Sequence, residues 1–428
     1  MIWHMTQRVS GIAAVLLAAE LSLTATGREA PSPAEQSSRI VAIGDIHGAF
    51  DAFVGILQSA GLIDEKRQWS GGNAVLVQTG DVFDRGAGVR DTLDLIMRLQ
   101  DEAKRAGGRV EPLLGNHEMM NLLSEYRDAS ATAYTAFADS RSADRQRRAY
   151  DDFVKILKRR AQTTTVVPSR EEWNTSHPPG FVEYTEAIGP RGKYGKWLRG
   201  NAVAVTVGNT LFMHAGVNPE STGTIEDINR TAAKEIAQWD DAKAAMVQAQ
   251  LVPVFSTLQE AMDAAAVEYQ RIAEALKNSE PPGDHVTREF VDRLRFVLEI
   301  GKTSLLEAQG PMWFRGFAQW PDTEEPKAAA LAQRLGVARF VTGHTPLAPG
   351  RIQARFGNRV FLIDTGMLSS VYKDGRASAL ELQDGRATAI YTDGRQVLVP
   401  SGVAHFSRDP LRDRLDRVGA AAWSAASR

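Results

Sequence analysis

The sequence predicts an α/β fold organised on a largely parallel sheet. Two observations carry this. Short apolar runs alternate with amphipathic stretches in the order β-α-β-α-β over 39–114, which calls for parallel strands joined by helical crossovers. Apolar runs also end repeatedly in Gly-Asp, Gly-Asn or Gly-His, so polar groups gather at strand ends, where open α/β sheets build their sites.

Taken in order, 39–43 is a continuous apolar run and reads as a buried strand. Residues 50–60 have helical spacing and stop at Gly61. A second buried strand is expected at 74–79, a second helix at 89–106 ended by Gly107-Gly108, and a third strand at 110–114. The pattern then breaks. Residues 145–160 form a basic amphipathic helix and 163–180 are polar and turn-rich, so 119–196 reads as a cap insertion. Strands return at 202–207 and 210–214, where Gly208-Asn209 signals a hairpin. Long helical periodicity over 225–250, 258–277 and 286–308 marks a second, helical insertion at 225–308. Strands follow at 339–342 and 359–363, then a hairpin of 377–382 and 387–391 around Asp384-Gly385. The folded domain is thus placed at 39–400, with a charged tail over 401–428.

A chain of 428 residues with 43% apolar content buries a full core as one large domain or two smaller ones. The net charge of −2 argues against a nucleic-acid or anionic-membrane binder. Cysteine is absent, which excludes disulfides, thiolate ligands and a lipidated cysteine but does not identify the compartment. Arg8, the apolar stretch 12–19 and the small residues up to Ala25-Thr26-Gly27 read as a secretory signal over 1–27, followed by a linker over 28–38. The stretch is too short to span a bilayer comfortably, so a periplasmic or secreted protein with no stable membrane span after signal removal is expected, with an uncleaved anchor as the alternative.

The chemistry lies in five motifs: Gly44-Asp45-Ile46-His47-Gly48, Gly80-Asp81-Val82-Phe83-Asp84-Arg85-Gly86, Gly115-Asn116-His117-Glu118, His214-Ala215-Gly216 and Gly343-His344-Thr345. Asp45 and His47 alternate along one extended segment, so both can face a single metal ion. Asp81 has two carboxylate oxygens and can bridge two ions. Asn116 offers a neutral oxygen, and His214 and His344 offer imidazole nitrogens. A lone Asp in such a turn is ordinarily a turn residue, and a lone His on an apolar strand is ordinarily core. Six ligand-type residues at strand ends are explained instead by a pair of divalent ions. His4, His177, His285 and His405 have no such setting.

These motifs resemble those of calcineurin-like metallophosphoesterases of the phosphoprotein phosphatase type, and more narrowly those of bacterial Shewanella-like protein phosphatases. The resemblance runs over 39–366 and is most specific at Gly80–Gly86 and Gly115–Glu118. It implies a metallophosphoesterase β-sandwich flanked by helices, with helical insertions. It implies one metal on Asp45, His47 and Asp81, and a second on Asp81, Asn116, His214 and His344. Ions about 3.5–4 Å apart hold a bridging hydroxide and the phosphate for in-line displacement. Mn, Fe and Zn all suit an oxygen and nitrogen set, and the sequence does not choose among them. By the same resemblance His117 protonates the leaving alkoxide, Asp84 holds its ring, and Arg85 clamps the phosphate through its planar fork.

The chain departs from the eukaryotic branch at Ala215-Gly216, where Gly-Gly is usual, and in the segment that supplies a second phosphate-binding Arg there. Gly310-Pro311-Met312-Trp313-Phe314-Arg315-Gly316 stands in its place. Arg315 and Arg199 are the candidates for that role. Arg315 is favoured because it returns from the helical insertion just before Gly343-His344. The expected activity is binuclear-metal-dependent hydrolysis of a phosphorylated protein or small phosphomonoester. The alternatives are a dinucleoside polyphosphate hydrolase or phosphodiesterase on the same core, and a catalytically silent binding protein whose insertions recruit a partner. The complete ligand set and an unmetallated acid beside it speak against silence.

Overall fold

The computed structural model describes residues 39–160 and 167–402. The predicted signal and linker, residues 161–166 of the cap and the tail beyond 402 lie outside the described residues.

Strands β1 (Ile40–Ile43), β2 (Val75–Gln78) and β3 (Arg109–Pro112) are parallel and in register, joined by helices Phe50–Ser59 and Val89–Arg105. Strands β4 (Ala204–Val207) and β5 (Thr210–Met213) form the hairpin expected at Gly208, which sits at φ 59°. Then come β6 (Arg339–Thr342), β7 (Gln353–Arg355), β8 (Val360–Leu362), β9 (Ser378–Gln383), β10 (Arg386–Tyr391) and β11 (Gly394–Val399).

They do not form one largely parallel sheet. Two mixed sheets form instead, in the orders β11-β10-β9-β1-β2-β3 and β4-β5-β6-β8-β7. The first is parallel from β1 to β3 and antiparallel from β1 through β9 and β10 to β11, and the second has a parallel centre with antiparallel edges, because hairpins add strands to an edge without a crossover. Side-chain alternation explains how the sheets stack. Ala42, Val77 and Leu380 of the first sheet meet Phe212, Val341 and Phe361 of the second, while Val41, Ile43 and Leu76 turn the other way toward the helices. The result is a β-sandwich flanked by helices.

Strands β7 and β11 were not legible as strands. Both are edge strands with little buried surface, β7 only three residues long and β11 exposed over its first four residues, so no apolar alternation marks them. Helix Glu325–Leu335 also escaped the periodicity, although Pro326 in its first turn and Gly336 at φ 67° past its end are the usual boundary residues.

The helical insertion contains Ile225–Gln248, Leu258–Lys277 and Arg288–Leu298, each capped by a threonine. The third was expected to reach residue 308. It stops at Leu298, and after a 3₁₀ turn over Ile300–Lys302 the chain turns at Thr303, whose backbone is extended. The cap is more helical than expected. Ser169 and Glu172 form a capping box that starts helix Arg170–Ser176 inside the supposed turn region, and Trp173 buries its ring. Helices Ala131–Thr135, Ser142–Arg160, Phe181–Ile188 and Lys193–Leu198 complete the cap. Among the described residues no helix is long and apolar enough to cross a membrane.

Candidate metal centre

The five motifs converge at the ends of β1, β2, β3, β5 and β6. Parallel neighbours bring their C-terminal ends to one edge, which is why residues as distant as Asp45 and His344 meet. Glycines permit the approach. A Cβ on Gly343 would lie 2.2 Å from Asp45 Oδ1, and one on Gly115 would lie 2.3 Å from Asp81 Oδ1. The backbone is strained where the chemistry sits: His47, Asp81, Asp84, Arg85 and His344 all have φ between 48° and 70°.

Glu118 holds this shape. Its carboxylate accepts from the amides of Asp81, Val82, Phe83 and Gly115, tying the loop after β2 to the start of helix Asn116–Leu122. The motif named Glu118 in the sequence, but its role became clear only from these bonds.

Three imidazoles have their tautomers set by main-chain acceptors. His47 Nδ1 donates to Phe83 O at 2.8 Å, His214 Nδ1 to Thr79 O at 3.0 Å and His344 Nε2 to Trp313 O at 3.2 Å. The remaining lone pairs therefore face inward, which is how second-sphere bonds orient metal-binding histidines. His214 Nε2 then stands 2.8 Å from Asn116 Oδ1, 3.1 Å from His344 Nδ1 and 3.3 Å from Asp81 Oδ2. All four atoms are acceptors and repel one another unless a cation lies between them. His47 Nε2 lies 3.7 Å from the same Asp81 oxygen.

The charges agree. Five carboxylates, Asp45, Asp81, Asp84, Glu118 and Asp364, are buried around this point. Burial, with Asp364 and Asp81 nearby, pushes the Asp45 carboxyl well above the usual range. Burial raises Asp364 to about 6. For Asp81 burial acts in the same direction, but attraction to the His214 and His117 rings outweighs it and holds the carboxyl well below that range. Burial also lowers His47 to about 3 and His344 to about 2, so both imidazoles are neutral and free to ligate. The donor set fits divalent ions, with Asp81 shared by the two His/Asp groups that the geometry defines, His47-Asp81-His117 and Asp81-His214-His344.

His117 belongs to the first group by distance, but its bonding sets it apart. Its Nδ1 donates to Asp84 Oδ2 at 2.6 Å. Burial lowers its pKa, yet Asp81 and Asp84 together raise it above the ordinary imidazole value. Arg85 reaches His47 Nε2 at 2.5 Å and His117 Nε2 at 3.1 Å, and its fork also bonds the hydroxyl of Tyr372. Arg315 donates to His344 O and Thr345 Oγ1, both at 3.1 Å, and lines a cleft of about 350 Å³ with Trp313 and Trp320.

Arg199 is not brought to the centre. Its guanidinium makes two 2.7 Å bonds to Asp240, and Nη1 donates to the carbonyls of Ile188 and Gly195. These bonds tie the cap to the helical insertion and occupy the fork that would clamp a phosphate.

Two further residues of the centre escaped the sequence reading. Asp364 follows β8, beside β6, and ends an apolar run as Asp45 and Asp81 do, which was the available signal. Tyr372 lies in a loop with no such pattern, and nothing marked it.

Residues 38–245 match the calcineurin-like phosphoesterase family. The chain is 29% identical to an uncharacterized protein of Schizosaccharomyces pombe over 341 residues, 79% of this chain and 75% of that one. It is 43% identical to Shewanella-like protein phosphatase 2 of Arabidopsis thaliana over 93 residues, 22% and 24% of the two chains. It is 30% identical to Shewanella-like protein phosphatase 1 of Plasmodium berghei, over 45% and 43%. A cold-active protein-tyrosine phosphatase of a psychrophilic Shewanella species superposes with a TM-score of 0.53, 21% identity and coverage of 85% and 80%, which speaks to the fold.

The match to the calcineurin-like phosphoesterases spans just under half of the chain and takes in four of the five motifs, with Gly343-His344-Thr345 lying beyond it. The relatives of the chain include the Shewanella-like protein phosphatases, of which it spans less than half the length.

Proposed function

We propose that this protein is a metal-dependent phosphatase that hydrolyses phosphomonoesters on proteins, with a pair of divalent ions of which manganese is the first to test. In this reading Asp45, His47 and Asp81 hold one ion, and Asp81, Asn116, His214 and His344 hold the other. The observation that carries it is the convergence of His214, Asn116 and His344 on Asp81, beside a histidine that already has its own carboxylate. Such ions supply Lewis-acid charge and an activated nucleophile when bound. Arg85 offers its fork to the phosphate oxygens, which a single-point ammonium would not match. Arg315 adds positive charge on the His344 side. His117 Nε2 faces the centre with Nδ1 held by Asp84, so it delivers a proton to the departing alkoxide while Asp84 stabilises the imidazolium.

The test is turnover of a phosphopeptide, an aryl phosphate, an aryl phosphodiester and a dinucleoside polyphosphate in the presence of manganese. Preference for the monoesters supports the reading; preference for either of the last two overturns it. His117→Asn should lower turnover of alkyl phosphates by ~10²–10⁴. Its effect on aryl phosphates should be smaller, since a good leaving group needs little protonation.

Export is proposed from the sequence of residues 1–27, with the mature chain starting near Glu29 and residing in the periplasm or outside the cell. N-terminal sequencing of protein from fractionated cells checks this, and an intact Met1 in the cytoplasm would overturn it.

A further inference from the structure

Behind the His117–Asp84 pair the hydrogen bonds continue into the cap. Asp84 is fully buried, and its second oxygen, Oδ1, accepts from Asn121 Nδ2 at 3.0 Å. The same Nδ2 donates to the carbonyl of His117, one helical turn earlier, at 2.9 Å. Asn121 Oδ1 accepts in turn from the hydroxyl of Tyr184 at 2.5 Å. Tyr184 belongs to helix Phe181–Ile188 of the cap and is completely buried. Its ring is fixed edge-on by Tyr134 and Phe137 at 5.1 Å and by Tyr126 at 5.8 Å.

This chain has one consistent set of donors and acceptors. If the Asn121 amide were flipped, its oxygen would face the Asp84 carboxylate and the His117 carbonyl, two acceptors that repel it. With the amide as it stands, Oδ1 needs a donor from the cap side, and Tyr184 is the residue that supplies one. Burial and the nearby Asp84 charge keep the phenol protonated and able to donate.

We propose that Tyr184 and Asn121 are positioning residues for the catalytic acid: the cap, through the Tyr184 hydroxyl, fixes the Asn121 amide, which fixes the Asp84 carboxylate, which holds His117 ready to donate its proton. The proposal rests on His117 acting as the acid. It gives the cap a role in the chemistry: the geometry of the acid depends on helix Phe181–Ile188 being seated. Truncating the hydroxyl leaves a buried amide oxygen unpaired and lets Asn121 and Asp84 reorient. The catalytic loss should therefore follow the need for protonation, which mere loosening of the core would not do.

The experiment compares wild type, Tyr184→Phe, Asn121→Ala, the double variant and His117→Asn, all loaded with manganese, on p-nitrophenyl phosphate and a phosphoserine peptide. Thermal melts confirm folding. Tyr184→Phe should lower kcat on the peptide by about tenfold, and on the aryl ester by no more than about twofold. In the Asn121→Ala background it should cost nothing further, because both residues act through one path. Equal losses on both substrates, or losses that simply add in the double variant, overturn the relay. Equal losses for His117→Asn would instead overturn the acid assignment, and the relay with it. Unequal losses for His117→Asn beside equal ones for Tyr184→Phe would overturn the relay alone.

Discussion

Five non-glycine residues in the motif loops hold positive φ, whereas the three long helices between His214 and Gly343 are regular throughout. In that helical segment Gln250 and Ser279 are left-handed, and both lie just beyond helix ends. The loops enclose buried carboxylates and acceptors that crowd one another; the helices bury Ala, Ile and Leu and begin at threonine caps. Strain persists only where the surroundings over-determine it. Here the surroundings are Glu118, four amides and three carbonyl-locked histidines. The loops are therefore organised for binding charge, and the helices for holding the frame on which the loops sit.

The sharpest test of that difference removes a bridging charge. Asp81→Ala deletes the oxygen that both metal-facing groups share, and activity should fall by more than the ~100-fold ceiling usual for an outer-sphere partner. Chelation should abolish hydrolysis and manganese should restore it. Full activity after exhaustive chelation, with metal content measured as nil, would remove the metal centre from the mechanism.

Next in size is Asp364. Its Oδ1 accepts from Gly366 N at 3.0 Å, while Oδ2 is buried without a partner. Asn at this position keeps the turn and removes the charge that lies against Asp45 and Asp81. Asp364→Asn should weaken metal affinity by ~10–100-fold, read by calorimetric titration of the apoprotein with manganese. Unchanged affinity would make Asp364 a turn residue only.

What the sequence made legible follows the same division. The proposed ligand residues were readable because each lies at the end of an apolar run, a placement they share although they are far apart in the chain. Asp364 carried the same mark without a familiar neighbour. The relay residues carried none: Asn121 and Tyr184 belong to ordinary helical patterns, and only three-dimensional packing puts them behind Asp84. The split into two mixed sheets was implied by the resemblance but hidden in the residue pattern, because whether a strand joins by crossover or by hairpin is decided by its partner. The Asp384-Gly385 turn named the β9–β10 hairpin but not the sheet it extends, which is that of β1.

Arg315 and Arg199 separate the two regions directly. Both sit in Trp- and Gly-containing segments that look alike in sequence. Arg315 reaches the His344 loop, whereas Arg199 is closed on Asp240. Arg315→Lys should raise KM for phosphomonoesters by about tenfold, the size expected for one lost charge-assisted hydrogen bond. Arg199→Lys should leave KM nearly unchanged and lower the melting temperature. A larger KM effect at Arg199 would reverse these assignments.

The smallest expected effect concerns the seam between the two regions, at Lys243. This residue of helix Ile225–Gln248 keeps some exposed surface, but its ammonium is enclosed. It donates to Ser124 Oγ and Ser256 O, both at 2.7 Å, and lies 5.9 Å from the Trp239 ring centre. Burial lowers its pKa to about 8 despite the attraction of Glu260 and Asp240. The folded protein then releases this proton before the unfolded chain does. Between pH 8 and the unfolded value of 10.5 the unfolded state binds more protons, so this group makes stability rise with pH. Below about pH 8 both states are protonated and the contribution is a constant penalty. A tenfold difference in proton affinity between the two states corresponds to about 1.4 kcal/mol, and partial exposure trims the total to about 1–2 kcal/mol. Lys243→Met should therefore flatten the pH dependence of stability above pH 8 relative to wild type, as measured by urea unfolding at a series of pH values. Parallel curves for the two proteins would show that the ammonium is solvated and that the seam between cap and helices carries no buried charge.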